Sequence, residues 1–143
     1  MKKIKNYFYL IVGILSVLFA FTHAMNGQLT LLSEIDNTSL DLSAKTIIRY
    51  VWHIITAENL IFGVALIFMA FYRERAQVRI VAWLIAVVLL TRWFVILIFT
   101  LMHDSASLTA IVTDTIAIIL LVVLLLLGAR VKEKVGERHR DDG

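Results

Sequence analysis

The sequence predicts an all-α membrane protein, an antiparallel four-helix transmembrane bundle with both termini cytoplasmic. Three observations lead there. First, 60% of the 143 residues are hydrophobic and only 17% are charged, whereas a soluble domain of this length shows more polar surface and amphipathic periodicity. Second, the apolar residues form four runs, at about residues 7–25, 47–71, 80–102 and 108–129. Runs of roughly 20 residues suffice to cross a ~30 Å hydrocarbon core. Third, Lys2, Lys3, Lys5, Arg73, Arg75, Arg79, Arg130, Lys132, Lys134, Arg138 and Arg140 fall on one side of that topology, against Lys45 and Arg49 on the other. By the positive-inside rule this imbalance points the termini into the cytoplasm; the inner or plasma membrane is the expected location.

Length allows one membrane domain, residues 1–143, with no room for a folded soluble one. Cysteine is absent, which excludes disulfides, thiol catalysis, iron–sulfur clusters and covalent haem attachment. Proline is also absent, so straight helices are expected. The net charge of +3 comes with no nucleic-acid-binding pattern, and nucleic acid is not an expected partner. The lipid bilayer is.

Taken in order, the basic start leads into span one, where Tyr7, Phe8 and Tyr9 have the character of an interfacial anchor. Thr22-His23-Ala24 loosely matches a signal-peptide cleavage site, but the run exceeds a usual h-region of about 7–15 residues, so a retained helix is expected. The outer loop 26–46 is polar, although Leu29, Leu31, Leu32 and Ile35 leave room for a short surface helix. Ser39-Leu40-Asp41-Leu42-Ser43 offers N-cap candidates for span two. Charged residues 72–79 form the next turn, His103-Asp104-Ser105-Ala106-Ser107 the one after, and residues 130–143 a solvated tail that includes His139. Gly13, Ser16, Gly63, Ala65, Ala82 and Ala86 would let helices approach one another. The Leu-rich run Ile118–Leu127 is expected to face lipid over much of its surface.

The polar chemistry concentrates in residues 50–59, and it divides into two layers. Counting ~1.5 Å per residue from the cytoplasmic ends, Glu58 lies about 21 Å up its span, Arg92 about 18 Å and Asp114 about 22 Å. An unpaired charge at that depth costs at least ~2.5–3.5 kcal/mol, and a guanidinium can fork between two carboxylates. The Glu58/Arg92/Asp114 layer therefore reads as a structural clasp or as an ion or headgroup site. A higher layer holds His23, His53 and His103 at the outer side, with Arg49, Trp52, Thr56 and Asn59 as further ligand-binding candidates. Facing histidines in a bundle can hold haem b, and three imidazoles can bind a divalent metal. No paired-ligand spacing on a single helix supports either, and a lone interfacial His is more often hydrogen-bonded or solvated.

At His23-Ala24-Met25-Asn26-Gly27, then Arg49 and Trp52-His53-Ile54-Ile55-Thr56, the chain resembles a loose set of small four-span bacterial membrane proteins. These pair His-x-x-x-Gly after span one with Trp-His-x-x-Thr opening span two. The resemblance covers roughly the first half of the chain. It implies the architecture and a shared outer-side polar site, not a reaction.

No nucleophile elbow, phosphate-cradling loop or dinucleotide fingerprint occurs, and Ser105 and Ser107 near His103 and Asp104 do not by themselves make a hydrolytic triad. The expectation is a non-enzymatic membrane protein, accessory or partner- and ligand-binding. Alternatives are an oligomeric ion- or ligand-handling protein, and a haem- or metal-binding redox protein. A homo-oligomer or a membrane-protein partner fits the first two.

Overall fold

A computed structural model describes residues 3–72, 74–109 and 111–131. Of the expected tail, Arg130 belongs to the last helix; residues 132–143, with His139, lie outside the described residues, as do Lys2 and Arg73. The described chain is helical, with no strand: α1 (Tyr7–Leu29), α2 (Leu31–Asp36), α3 (Leu42–Met69), α4 (Arg75–His103), a 3-10 turn (Ser105–Thr109) and α5 (Val112–Arg130). Four helices are long and apolar enough to cross a membrane: Tyr7–Asp36 (α1 running on into α2), Leu42–Met69, Ala76–His103 and Val112–Arg130. Phe21, Phe68, Ile80, Leu84, Phe99 and Ile116 are among many large apolar side chains left exposed. Such a surface would associate in water, but it matches a lipid solvent. The chain has the make-up of a multi-pass membrane protein.

The helices extend beyond the apolar runs. α1 continues past Met25 to Leu29, α2 occupies the middle of the expected outer loop, and α3 begins at Leu42 rather than 47. At the other turn Leu108 belongs to the 3-10 turn, and α5 starts only at Val112. The chain falls into two compact units, Tyr9–Ala70 and the combination of Met1–Phe8 with Phe71–Gly143.

In the Tyr9–Ala70 unit, Tyr9, Val12, Gly13, Ser16 and Ala20 are the buried stripe of α1, at the spacing that lines one helix face. A Cβ added to Gly13 would lie 2.8 Å from the Gly63 carbonyl oxygen, and one added to Gly63 would lie 2.8 Å from that of Gly13. Each glycine thus lets the other helix's backbone come close, the packing that small residues permit where no hydrophobic force draws helices together. The contacts run in opposite chain directions: Gly13 meets Gly63 and Ile67, while Gln28, later in α1, meets His53, earlier in α3.

Among the cap candidates, Asp41 begins α3. Its backbone is extended and its carboxylate accepts from the Ala44 N–H at 2.8 Å, a contact worth about 1 kcal/mol. The preceding turn is stitched from both sides. Lys45 Nζ donates to the Asp36 and Thr38 carbonyls, each at 2.9 Å, placing a cation where the C-terminal carbonyls of α2 need one. Leu32 and Ile35 are the buried side of α2.

In the other unit α4 packs on α5. The buried positions are Val78, Ala82, Ile85, Ala86 and Leu89 on α4, and Ile118, Leu121, Val122, Leu125 and Ala129 on α5. Both sets keep helical periodicity. Within the Leu-rich run, Ile119, Leu120, Val123 and Leu127 are exposed, so one face is available to lipid. Asn6 closes the unit. Its Oδ1 accepts from the Phe8 N–H at the start of α1, and its Nδ2 donates to the Gly128 carbonyl at 2.8 Å in a buried bond.

A polar cleft at the α1–α2–α3 corner as the candidate functional site

Trp52 is the hub of this corner. Its indole Nε1 donates to the His23 carbonyl at 3.0 Å, and its ring stacks on the His23 imidazole with centroids 4.1 Å apart and planes 7° from parallel. Gly27, one helical turn beyond His23, makes the space: a Cβ there would lie 1.9 Å from Trp52 Nε1. The His-x-x-x-Gly and Trp-His segments are therefore the two sides of one contact. Thr56 Oγ1 donates to the Trp52 carbonyl one turn back, at 3.3 Å, a local bond within α3.

The next residue round, His53, meets Gln28, with Nε2 of the two side chains 3.2 Å apart. A bond between these two atoms has the amide as donor and an imidazole protonated on Nδ1 as acceptor. Arg49, one turn before His53, forms an ion pair with Asp36, the last residue of α2. Gln28, Leu32, Ser33, Asp36, Arg49 and His53 line a cleft of 370 Å³. Both halves of the ion pair stay about half exposed, 46% for Arg49 and 54% for Asp36. The corner thus presents a cation, an anion, an amide, a hydroxyl and an imidazole around one small volume. It is equipped to bind a polar group; it displays no activated nucleophile.

Of the expected site residues, Arg49 and His53 line the cleft, His23 and Trp52 pack on each other, and Thr56 bonds only within α3. Asn59 and Glu58 lie further along α3, half-buried and engaged by partners. His103 belongs to the other unit, in the last turn of α4, where its ring stacks on Phe99 at 5.8 Å. Beside it Ser107 Oγ donates to the Asp104 carboxylate, closing the turn. Among the described residues no group of three His, Asp or Glu side chains is placed to hold a metal ion. His23 and His53 have different partners, an indole face and an amide.

Arg92 and Asp114 share the α4–α5 unit. Their neighbours touch: Trp93 Nε1 donates to Thr115 Oγ1 at 3.1 Å, which brings this part of α4 level with the start of α5. Arg92 is half-buried and engaged, while Asp114 is exposed in the first turn of α5. A carboxylate there is favoured by the helix macrodipole.

Gln28, Leu32, Ser33 and Asp36 were not among the expected site residues. Their signal was present as four-residue spacing: Gln28, Leu32 and Asp36 on one side, Arg49 and His53 on the other, each one turn apart. Compared with protein-family models, curated proteins and solved structures, the chain matches none.

Proposed function

We propose that this is a small polytopic protein of the inner or plasma membrane that binds a polar ligand or partner group at an outer-side cleft. In this reading the four spans form an antiparallel bundle with both termini cytoplasmic, as the charge asymmetry of the connecting segments favours. The cleft between α1, α2 and α3 then opens away from the cytoplasm. The observation that carries the reading is the lining itself, in which Arg49 and Asp36 sit half exposed beside Gln28 and His53 in one concave volume. Charges paired only to steady a turn need no cavity; here they border one.

The absence of cysteine makes the test direct. Ser33→Cys introduces a single thiol into an exposed position of the cleft wall. In intact cells it should react with a membrane-impermeant maleimide. A thiol placed at Gln77, exposed in the first turns of α4, should react only after the membrane is opened. The opposite pattern refutes the orientation and with it the function.

A further inference from the structure

The depth of the cleft and the identity of its charges narrow the ligand. Going up α1 from Tyr7 at ~1.5 Å per residue, a ~30 Å hydrocarbon core ends near Gly27 and Gln28. Going back along α3 from Ala70 by the same rise, it ends near Tyr50. The two counts agree to within about one helical turn: Gln28 contacts His53, three residues along α3 from Tyr50. Arg49, Asp36 and Ser33 lie beyond that level, where headgroups are. The lining offers two opposite poles. Arg49, Gln28, Ser33 and His53 can donate to an anion, with a guanidinium suited to phosphate, while Asp36 can accept from an ammonium. None of the six lining residues is Phe, Tyr or Trp, and one face of the nearby Trp52 indole is covered by His23. A quaternary ammonium, which has no N–H to donate and is held by aromatic faces, finds no seat.

We infer that the cleft takes a phosphodiester carrying a primary ammonium, the headgroup chemistry of phosphatidylethanolamine, with phosphate on Arg49 and ammonium on Asp36. The ligand exchanges the Arg49–Asp36 pair for one contact at each pole, so neither charge is left unpaired when it binds. The inference rests on the outer-cleft reading. It adds to that reading the ligand's chemical class.

The test uses the full chain purified from membranes containing equal phosphatidylethanolamine, phosphatidylglycerol and phosphatidylcholine, with retained lipid counted by native mass spectrometry. Phosphatidylethanolamine should be retained over both others. Arg49→Gln should reduce retention of it by about tenfold, equivalent to ~1.4 kcal/mol. Asp36→Asn should abolish the preference over phosphatidylglycerol, and Asp36→Glu should keep it. Soluble glycerophosphoethanolamine separates the sources. If it raises the thermal midpoint as the lipid does, the ligand is a solute of that chemistry; if only the lipid does, the ligand is the membrane component. Equal retention of the three lipids by the unmodified chain, or a preference indifferent to Asp36→Asn, overturns the inference. Outside labelling of Ser33→Cys together with that result leaves the outer cleft standing and removes only its assigned ligand. Failure of outside labelling removes the cleft reading itself.

Discussion

The indole of Trp52 lies flat on the imidazole of His23 and donates to the same residue's carbonyl. One side chain thus contacts both the ring and the backbone of a residue on the neighbouring helix. That double hold is only compatible with glycine at 27.

Gly27→Ala should therefore displace the indole, because its Cβ would lie within 1.9 to 2.6 Å of three ring atoms. Overpacking of this kind costs about 1–3 kcal/mol. A lowered thermal midpoint in detergent and a red-shifted tryptophan emission would register it. Trp52→Phe, which keeps an aromatic face but loses the donor, should restore part of the midpoint in the Gly27→Ala background.

Gly13 and Gly63 are less forgiving, since the atoms an added Cβ meets include backbone of the opposite helix. Gly13→Ala and Gly63→Ala should each destabilise by about 1–3 kcal/mol. The double variant should not recover, because both methyl groups push the same two backbones apart. Chemical unfolding monitored by circular dichroism measures the series.

Asn6 has two separable tasks, an acceptor at the start of α1 and a donor to the Gly128 carbonyl. Asn6→Ala removes both and should cost about 1–3 kcal/mol, as expected when a buried partner is left unsatisfied. Asn6→Asp keeps the acceptor and, when ionised, loses the donor, so it should be at least as harmful despite preserving the cap. Comparison of the two thermal midpoints decides which task dominates.

The Asp36–Arg49 pair should matter little to folding. Both groups are about half exposed, and exposed ion pairs typically contribute about 0–1 kcal/mol. With lipid removed, Asp36→Asn and Arg49→Gln should leave the midpoint nearly unchanged and show a small coupling in a double-mutant cycle. A large loss of stability in either would mean the pair exists to hold the turn.

Of the two expected clasp residues in the α4–α5 unit, Arg92 should be the costly one to neutralise. Asp114 is exposed in the first turn of α5, where a carboxylate is worth about 0.3–1 kcal/mol through the macrodipole. Asp114→Asn should lower stability by no more than that, whereas Arg92→Gln, past the midpoint of α4 and half-buried, should lower it clearly further. Equal losses in thermal unfolding would argue that the two charges act as a unit.

The long apolar helices were readable in the sequence because a lipid solvent imposes one simple rule, sustained hydropathy over a fixed length. Where that rule lapses, legibility lapsed too. Residues 26–46 read as loop because Asn26, Gln28, Ser33 and Asp36 are polar, yet helices that leave the hydrocarbon can carry polar residues without ending. That is how α1 runs on to Leu29 and α3 starts at Leu42. Leu108 and Ile111 hid the start of α5 in the opposite sense, since apolar residues in a 3-10 turn prolong a hydropathy run. His23 and Trp52 could be listed as polar-layer residues from spacing alone. Their stacking could not, because it depends on the rotation of two helices set by Gly13, Gly27 and Gly63.

The Asn6–Gly128 bond spans 122 positions of sequence. The bond cannot form until α5 is in place, whereas each helix closes only local hydrogen bonds. Until α5 has docked, Asn6 must find other partners for its amide. The start of α1 then acquires its anchor only once α5 is seated, although α1 precedes α5 in the chain. A truncated or mis-seated α5 would be reported at the opposite terminus, as a frayed first turn of α1.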